Sequence, residues 1–153
     1  MAKTHRLLAG ACAALLAAYA APLLAQEVAT FEIEGSEIRE SLTGQPGNPA
    51  RGRQIVRDLS KATCLICHPM PIPEEPNHGD IGPPLAGVGS RYSSGELRLR
   101  IVDAKAINPD TVMPAYHRVD GLYRVLDRYE DRPIYSAQEV EDVVAYIASL
   151  REP

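Results

Sequence analysis

The chain has no tryptophan, one phenylalanine and only three cysteines in 153 residues. Aromatic side chains are the largest apolar groups a core can bury. A domain with so few of them has a modest core and is of the kind that leans on a staple, a metal or a cofactor. There is no excess of positive charge: 16 basic residues stand against 20 acidic ones, a formal net charge of −4. That balance lacks the electrostatic footprint of a nucleic-acid binder. Internal repeats, sustained heptads and a convincing pair of alternating strand segments are all missing, which leaves a small all-α domain.

The one long apolar run lies at the start. "MAKTHRLLAGACAALLAAYAAPLLAQE" opens on Lys3 and Arg6, continues through an Ala/Leu run to Ala25, and meets Gln26 at a plausible cleavage point. This is the pattern of an export signal. The run is long enough to raise the rival of a retained anchor, but its alanines and the small residue at its end favour cleavage. Leu23, three before the cut, is larger than the ideal residue there. Residues 1–25 are therefore expected to be a signal peptide, with no membrane segment in the mature chain. Cleavage removes Lys3 and Arg6, leaving 14 basic against 20 acidic residues. Cys12 leaves too, so Cys64 and Cys67 are the remaining thiols, in an oxidising compartment.

Residues 26–46 read as an acidic arm, partly extended, that runs into the turn-rich "LTGQPGNPA". Residues 47–153 form the domain proper. "NPARGRQIVRDLS" is a helix candidate capped by Asn48, with Pro49 in its first turn and an apolar side of Ile55, Val56 and Leu59. "HPMPIPEEPNHGDIGPPLAGVG" holds too much Pro and Gly for a regular element, yet it carries Ile81, Leu85 and Val88. Such a loop wraps something. "SRYSSGELRLRIVDAKAIN" has Ser93 or Ser94 as a cap and Leu97, Ile101 and Val102 at helical spacing. "GLYRVLDRYEDRP" is a short helix candidate. "SAQEVEDVVAYIASL" is the clearest: Ser136 and Glu139 make a capping box, and Val140, Val143, Val144, Ile147 and Leu150 mark one face. About four helices with long Pro/Gly loops are expected.

"CLICH" places Cys64, Cys67 and His68 in a Cys-x-x-Cys-His pattern. In c-type haem attachment each thiol adds across a vinyl group of the macrocycle, and the adjacent imidazole ligates the iron. A thioredoxin-like pair needs a βαβ context that is missing here. A structural zinc site needs four ligands; His78 and His117 could complete one, but their spacing follows no finger pattern. A plain disulfide is the simplest rival. Haem also supplies the apolar burial that the sequence lacks, and the reading adopted is one covalent haem c. Electron-transfer haem iron is usually six-coordinate, and the candidates for the second axial position are Met70, His78, Met113 and His117. Met70 is too close to His68 to reach the opposite face. Met113 is far along the chain and is held extended by Pro114; it is preferred. His117 is its main competitor. His78, in the Pro/Gly loop, reads as a surface residue, and Asn108-Pro109 as a turn.

"CLICHP" near the front, "TVMPAY" in the second half and a closing amphipathic helix resemble the class I cytochromes c. "GDIGPPLAGVGSRYS", "ELRLRIVDAKAINPDTVMPAYHR", "GLYRV" and "AQEVEDVVAYIASL" narrow the resemblance to the SoxX family, monohaem subunits of SoxAX thiosulfate-oxidation complexes. It runs from about Gly47 to Leu150, although "GNC", frequent in that family, is here Ala62-Thr63-Cys64. The resemblance implies Cys64 and Cys67 as thioether attachments, His68 as proximal and Met113 as distal ligand. It also implies the Pro83 carbonyl as acceptor of the His68 N–H, and contact between Gly52 and Tyr146. It further implies a periplasmic heterodimer with a SoxA-type cytochrome carrying one or two haems. Together the two would join thiosulfate oxidatively to a carrier-protein cysteine, as an L-cysteine S-thiosulfotransferase. The catalytic site is expected in the partner, because no thiol remains here to act on sulfur. An acceptor cytochrome and the sulfur-carrier protein would be transient partners. The arm and the Pro-rich loop, with Met70, Ile72 and Ile81, are candidate partner surfaces. A free-standing electron shuttle is the alternative, and a haem enzyme or sensor lacking Met113 ligation is a further one.

Overall fold

The computed structural model describes residues 28–152; the expected signal peptide lies outside them. Four α-helices follow in chain order: α1 over Pro49–Ile55, α2 over Val88–Arg91, α3 over Ser94–Asp103 and α4 over Ala137–Ser149. Short 3-10 turns lie at Cys64–Ile66, Ala104–Ala106 and Asp127–Tyr129. Among the described residues there is no strand, only one isolated bridge between Glu34 and Glu37. No helix among them is long and apolar enough to cross a membrane.

Each main helix starts where a side chain can take up free N–H groups. Asn48 accepts from the amides of Ala50 and Arg51 at the head of α1. Ser93 with Glu96 and Ser136 with Glu139 form complete capping boxes on α3 and α4. Helix α1 ends earlier than its sequence suggests. Asp58 accepts from both the amide and the hydroxyl of Ser60, and this local turn competes with helical bonding. Val56 is consequently buried while Leu59 stays 80% exposed. "GLYRVLDRYEDRP" forms only the 3-10 turn, because Gly121 and Arg124 have positive φ, 66° and 57°. A right-handed helix cannot pass through such residues.

Helix α4 packs against α1, α2 and α3, with Val140, Val143, Val144 and Ile147 buried. At its crossing with α1 the backbones touch. A Cβ on Gly52 would overlap the carbonyl of Asp142 and lie 2.8 Å from the Tyr146 Cβ. The contact between Gly52 and Tyr146 is thus a real feature of the fold.

Two neighbouring carboxylates on α4 hold the remaining pieces. Glu141, buried, takes a bidentate pair from Arg98 of α3 at 2.7 and 2.9 Å and accepts the amide of Leu42 at 2.9 Å. The same guanidinium donates to the carbonyls of Ile38 and Arg39. The arm is therefore laid against α3 and α4, with Ile38 in the core. Asp142 accepts from the Asn48 amide at 2.7 Å, from Arg51 at 2.7 and 3.2 Å and from Gln138 at 3.1 Å. Burial by itself would raise the Asp142 carboxyl, but these donors outweigh it and hold it below its ordinary value.

Glu141→Ala strands the buried Arg98 and should cost about 3–5 kcal/mol in a urea unfolding experiment. A carboxyl depressed by folding stabilises above its unfolded value, near about pH 4, and loses that stabilisation as pH falls through the folded value. Stability should therefore decline below about pH 4 in the native chain. The part of that decline due to Asp142 should be absent from Asp142→Asn in parallel acid melts.

Candidate functional site

The cysteine turn is built by its neighbours. The Thr63 side chain accepts the Leu65 amide and donates to the Val56 carbonyl, tying the turn to the end of α1. The amides of Cys67 and His68 both bond the Cys64 carbonyl at 3.1 and 2.9 Å, which brings His68 round beneath the two thiols. The cysteines are free rather than bonded to each other. Burial, the leading cause, pushes the Cys64 thiol up to about 12. That is the reverse of the lowered value a reactive redox thiol requires. No cluster of three or more His, Cys, Asp or Glu gathers among the described residues, so the zinc alternative lacks its ligands.

The Pro/Gly loop folds back over this turn. Gly79 bonds the Leu65 carbonyl, Gly82 bonds that of Cys67, and Leu85 bonds that of Pro69. His68 Nδ1 lies 2.8 Å from the Pro83 carbonyl. Because a carbonyl only accepts, Nδ1 carries the proton and Nε2 is left with its lone pair. The imidazole lies directly over Gly82, where a Cβ would overlap the ring. Only glycine lets the backbone approach it that closely.

Cys64, Cys67, His68, Pro83 and Met113 all line one cavity of about 450 Å³, a volume usual for a cofactor site. Its walls are largely apolar, with Leu85, Leu97, Ile101 and Ile147 among them. Met113 is half-buried and packs against the core. Its amide bonds Thr111 Oγ1 at 3.2 Å, and Lys105 Nζ holds the carbonyls of Pro109 and Thr111. Asn108 and Pro109 form the expected turn, closed by the Thr111 amide on the Asn108 carbonyl.

The two other candidate histidines, His78 and His117, are elsewhere. His117 is fully buried, bonded to the Tyr135 carbonyl and the Ala29 amide, and is not part of the cavity lining. It is not a competing ligand. His78 is not a plain surface residue. Its Nδ1 accepts the Met70 amide at 3.2 Å, and its Nε2 is enclosed without a partner. Met70 and Ile72 are core residues, 6% and 1% exposed, which removes them as partner surface; Ile81 remains 67% exposed.

Sequence reasoning missed several lining residues. Arg91 and Arg100 reach the cavity. Arg91 is fixed by the carbonyls of Ala86 and Pro84, and Arg100 lies 4.0 Å over the ring of Tyr92. No acid joins them in the lining, and although Glu152 approaches Arg91 from outside it at 3.9 Å, the lining itself contributes only positive charge. Tyr116 also lines the cavity and stacks on Tyr135 at 4.6 Å. Nothing in sequence distinguishes these two arginines from the solvated ones; only the fold brings them here.

A flat apolar macrocycle with two carboxylates fits this arrangement. Two free thiols stand beside an imidazole, a thioether shares the same apolar cavity, and two cations sit at its edge. The fold and this donor set are those of a c-type cytochrome. The sequence model described as cytochrome c matches residues 49–151, and the chain belongs to that family, whose cofactor is covalently bound haem c. Among solved structures, a chain of SoxXA from P. pantotrophus is similar at 35% identity and a TM-score of 0.74. The match covers 80% of this chain and 95% of that one, and it bears out the likeness to SoxX. No curated protein matches.

Gly82→Ala should force the His68 ring away from the Pro83 carbonyl. In the reduced, haem-loaded protein the slowly exchanging Nδ1 proton should be lost from the NMR spectrum, while the α-helical circular dichroism stays unchanged.

Proposed function

We propose that this chain is the electron-transfer subunit of a SoxAX-type complex that conjugates thiosulfate oxidatively to a carrier-protein cysteine. The observation that carries the reading is the convergence of Cys64, Cys67, His68 and Met113 on one apolar cavity, in a chain similar to one of SoxXA. Haem c supplies a one-electron couple. Cys64 and Cys67 hold it through thioethers. His68 is the proximal ligand, oriented and made more basic by the Pro83 carbonyl. Met113 is the distal ligand, and a thioether in that position raises the potential. Arg91 and Arg100, at the cavity edge, would pair with the haem carboxylates.

The chain itself performs no sulfur chemistry. Cys64 and Cys67 are its only thiols outside the leader, and both are used as anchors. Thiosulfate conjugation then belongs to a SoxA-type partner, and this chain relays electrons from it to an acceptor cytochrome. Residues 1–25 direct export to the periplasm, residues 26–46 form the arm, and residues 47–153 are the cytochrome domain.

The assignment is tested by pull-down from native periplasm followed by haem staining across a salt series. A second haem protein should be retained at high salt, where charge-driven transient docking fails. Recovery of a monohaem species alone at every salt concentration overturns the subunit role in favour of a free shuttle. Met113→Ala should abolish the weak red-edge charge-transfer band of iron–thioether ligation and lower the midpoint potential, read by redox titration.

A further inference from the structure

His117 has no exposed surface, and both of its ring nitrogens are in use. Nδ1 lies 2.7 Å from the Tyr135 carbonyl, so it carries the proton. Nε2 therefore accepts, and it takes the backbone N–H of Ala29 at 3.0 Å. This single neutral imidazole joins segments that lie 18 and 88 residues away in sequence.

Around it the backbone is equally tied. The His117 amide bonds the Val102 carbonyl at 3.3 Å, and the Tyr116 amide bonds that of Ile101 at 3.0 Å. The Tyr135 amide closes on the Tyr116 carbonyl at 2.8 Å, and the two tyrosine rings stack. Met113 sits between this fixed point and the Lys105 clamp on Thr111. Any outward swing of Met113 must pull on Tyr116 and His117, because Pro114 restricts the backbone between them.

We infer that His117 is a positioning residue for Met113. It clasps the N-terminal arm onto the segment that carries the thioether, so the arm governs how readily Met113 leaves the cavity. The inference rests on the reading of Met113 as axial ligand. Without the clasp the segment loses a hydrogen bond on its inner side and opens more often, and an external ligand competes better for the vacated position.

The test uses the mature, haem-loaded protein and titrates its iron–thioether band with imidazole. Three variants are compared with wild type: a truncation lacking residues 26–30, His117→Asn and His117→Gln. Asn keeps a donor for the Tyr135 carbonyl but is too short to reach Ala29. Gln carries an acceptor out to the Nε2 position but gives up the donor to the Tyr135 carbonyl, so it keeps the arm bond alone. The truncation and His117→Asn should bind imidazole about tenfold more tightly, the effect of one buried hydrogen bond. His117→Gln should stay near wild type. Asn48→Ala, which removes the α1 cap, serves as a control for general destabilisation and should leave the titration unchanged. Absence of the band from wild type overturns the ligand reading and this inference with it. With the band present, two results overturn the clasp alone: truncation and His117→Asn within about twofold of wild type, or a shift as large in Asn48→Ala.

Discussion

Glu141 and Asp142 are carboxylates held out of water side by side on α4, and burial of that kind is tolerable only when each is fully partnered. Their partners come from α1, α3 and the arm. Arg98 arrives from α3, the Leu42 amide from the arm, and Arg51 with the Asn48 amide from the head of α1. The directionality of these bonds sets which way each element lies on α4, something apolar packing alone leaves loose. Because α4 also supplies Ile147 to the cavity wall, the same carboxylates determine where that wall stands. Removing Arg98 or Glu141 would leave its partner's charge in the core.

The cavity is assembled from segments that are mostly not helical. The cysteine turn, the Pro/Gly loop and the segment around Met113 carry its donors, and each is secured by backbone hydrogen bonds to a rigid neighbour. Proline and glycine suit this work for opposite reasons. Pro114 narrows the shapes open to Met113, whereas Gly82 removes the one atom that would collide with His68. A cofactor bound here completes a core that the chain's sparse aromatics leave small, which links composition to function through packing.

Some of this was legible in the residues themselves. The capping boxes at Ser93 and Ser136 and the Asn48 cap mark helix starts, because a cap acts over three residues and needs nothing distant. Cys-x-x-Cys-His is equally local. Leu59 misled, since a two-residue turn at Asp58 overrode the helical spacing. "GLYRVLDRYEDRP" misled because backbone sign at Arg124 does not show in side-chain pattern. Met70 and Ile72 looked like candidates for a partner surface and are core, because the Pro-rich loop doubles back over the cysteine turn. His78 and His117 were ranked by their position along the chain, which carries no information about which way an imidazole faces.

The amino-acid sequence determined by itself the all-α class, the principal helix starts and the attachment motif. These follow from interactions spanning a few residues or from covalent chemistry. Tertiary structure alone decided that Arg91, Arg100 and Tyr116 face the cavity and that His117 turns away from it to hold the arm. Those outcomes depend on contacts between residues tens of positions apart, whose geometry exists only once α4 has gathered α1, α3 and the arm around its two buried carboxylates.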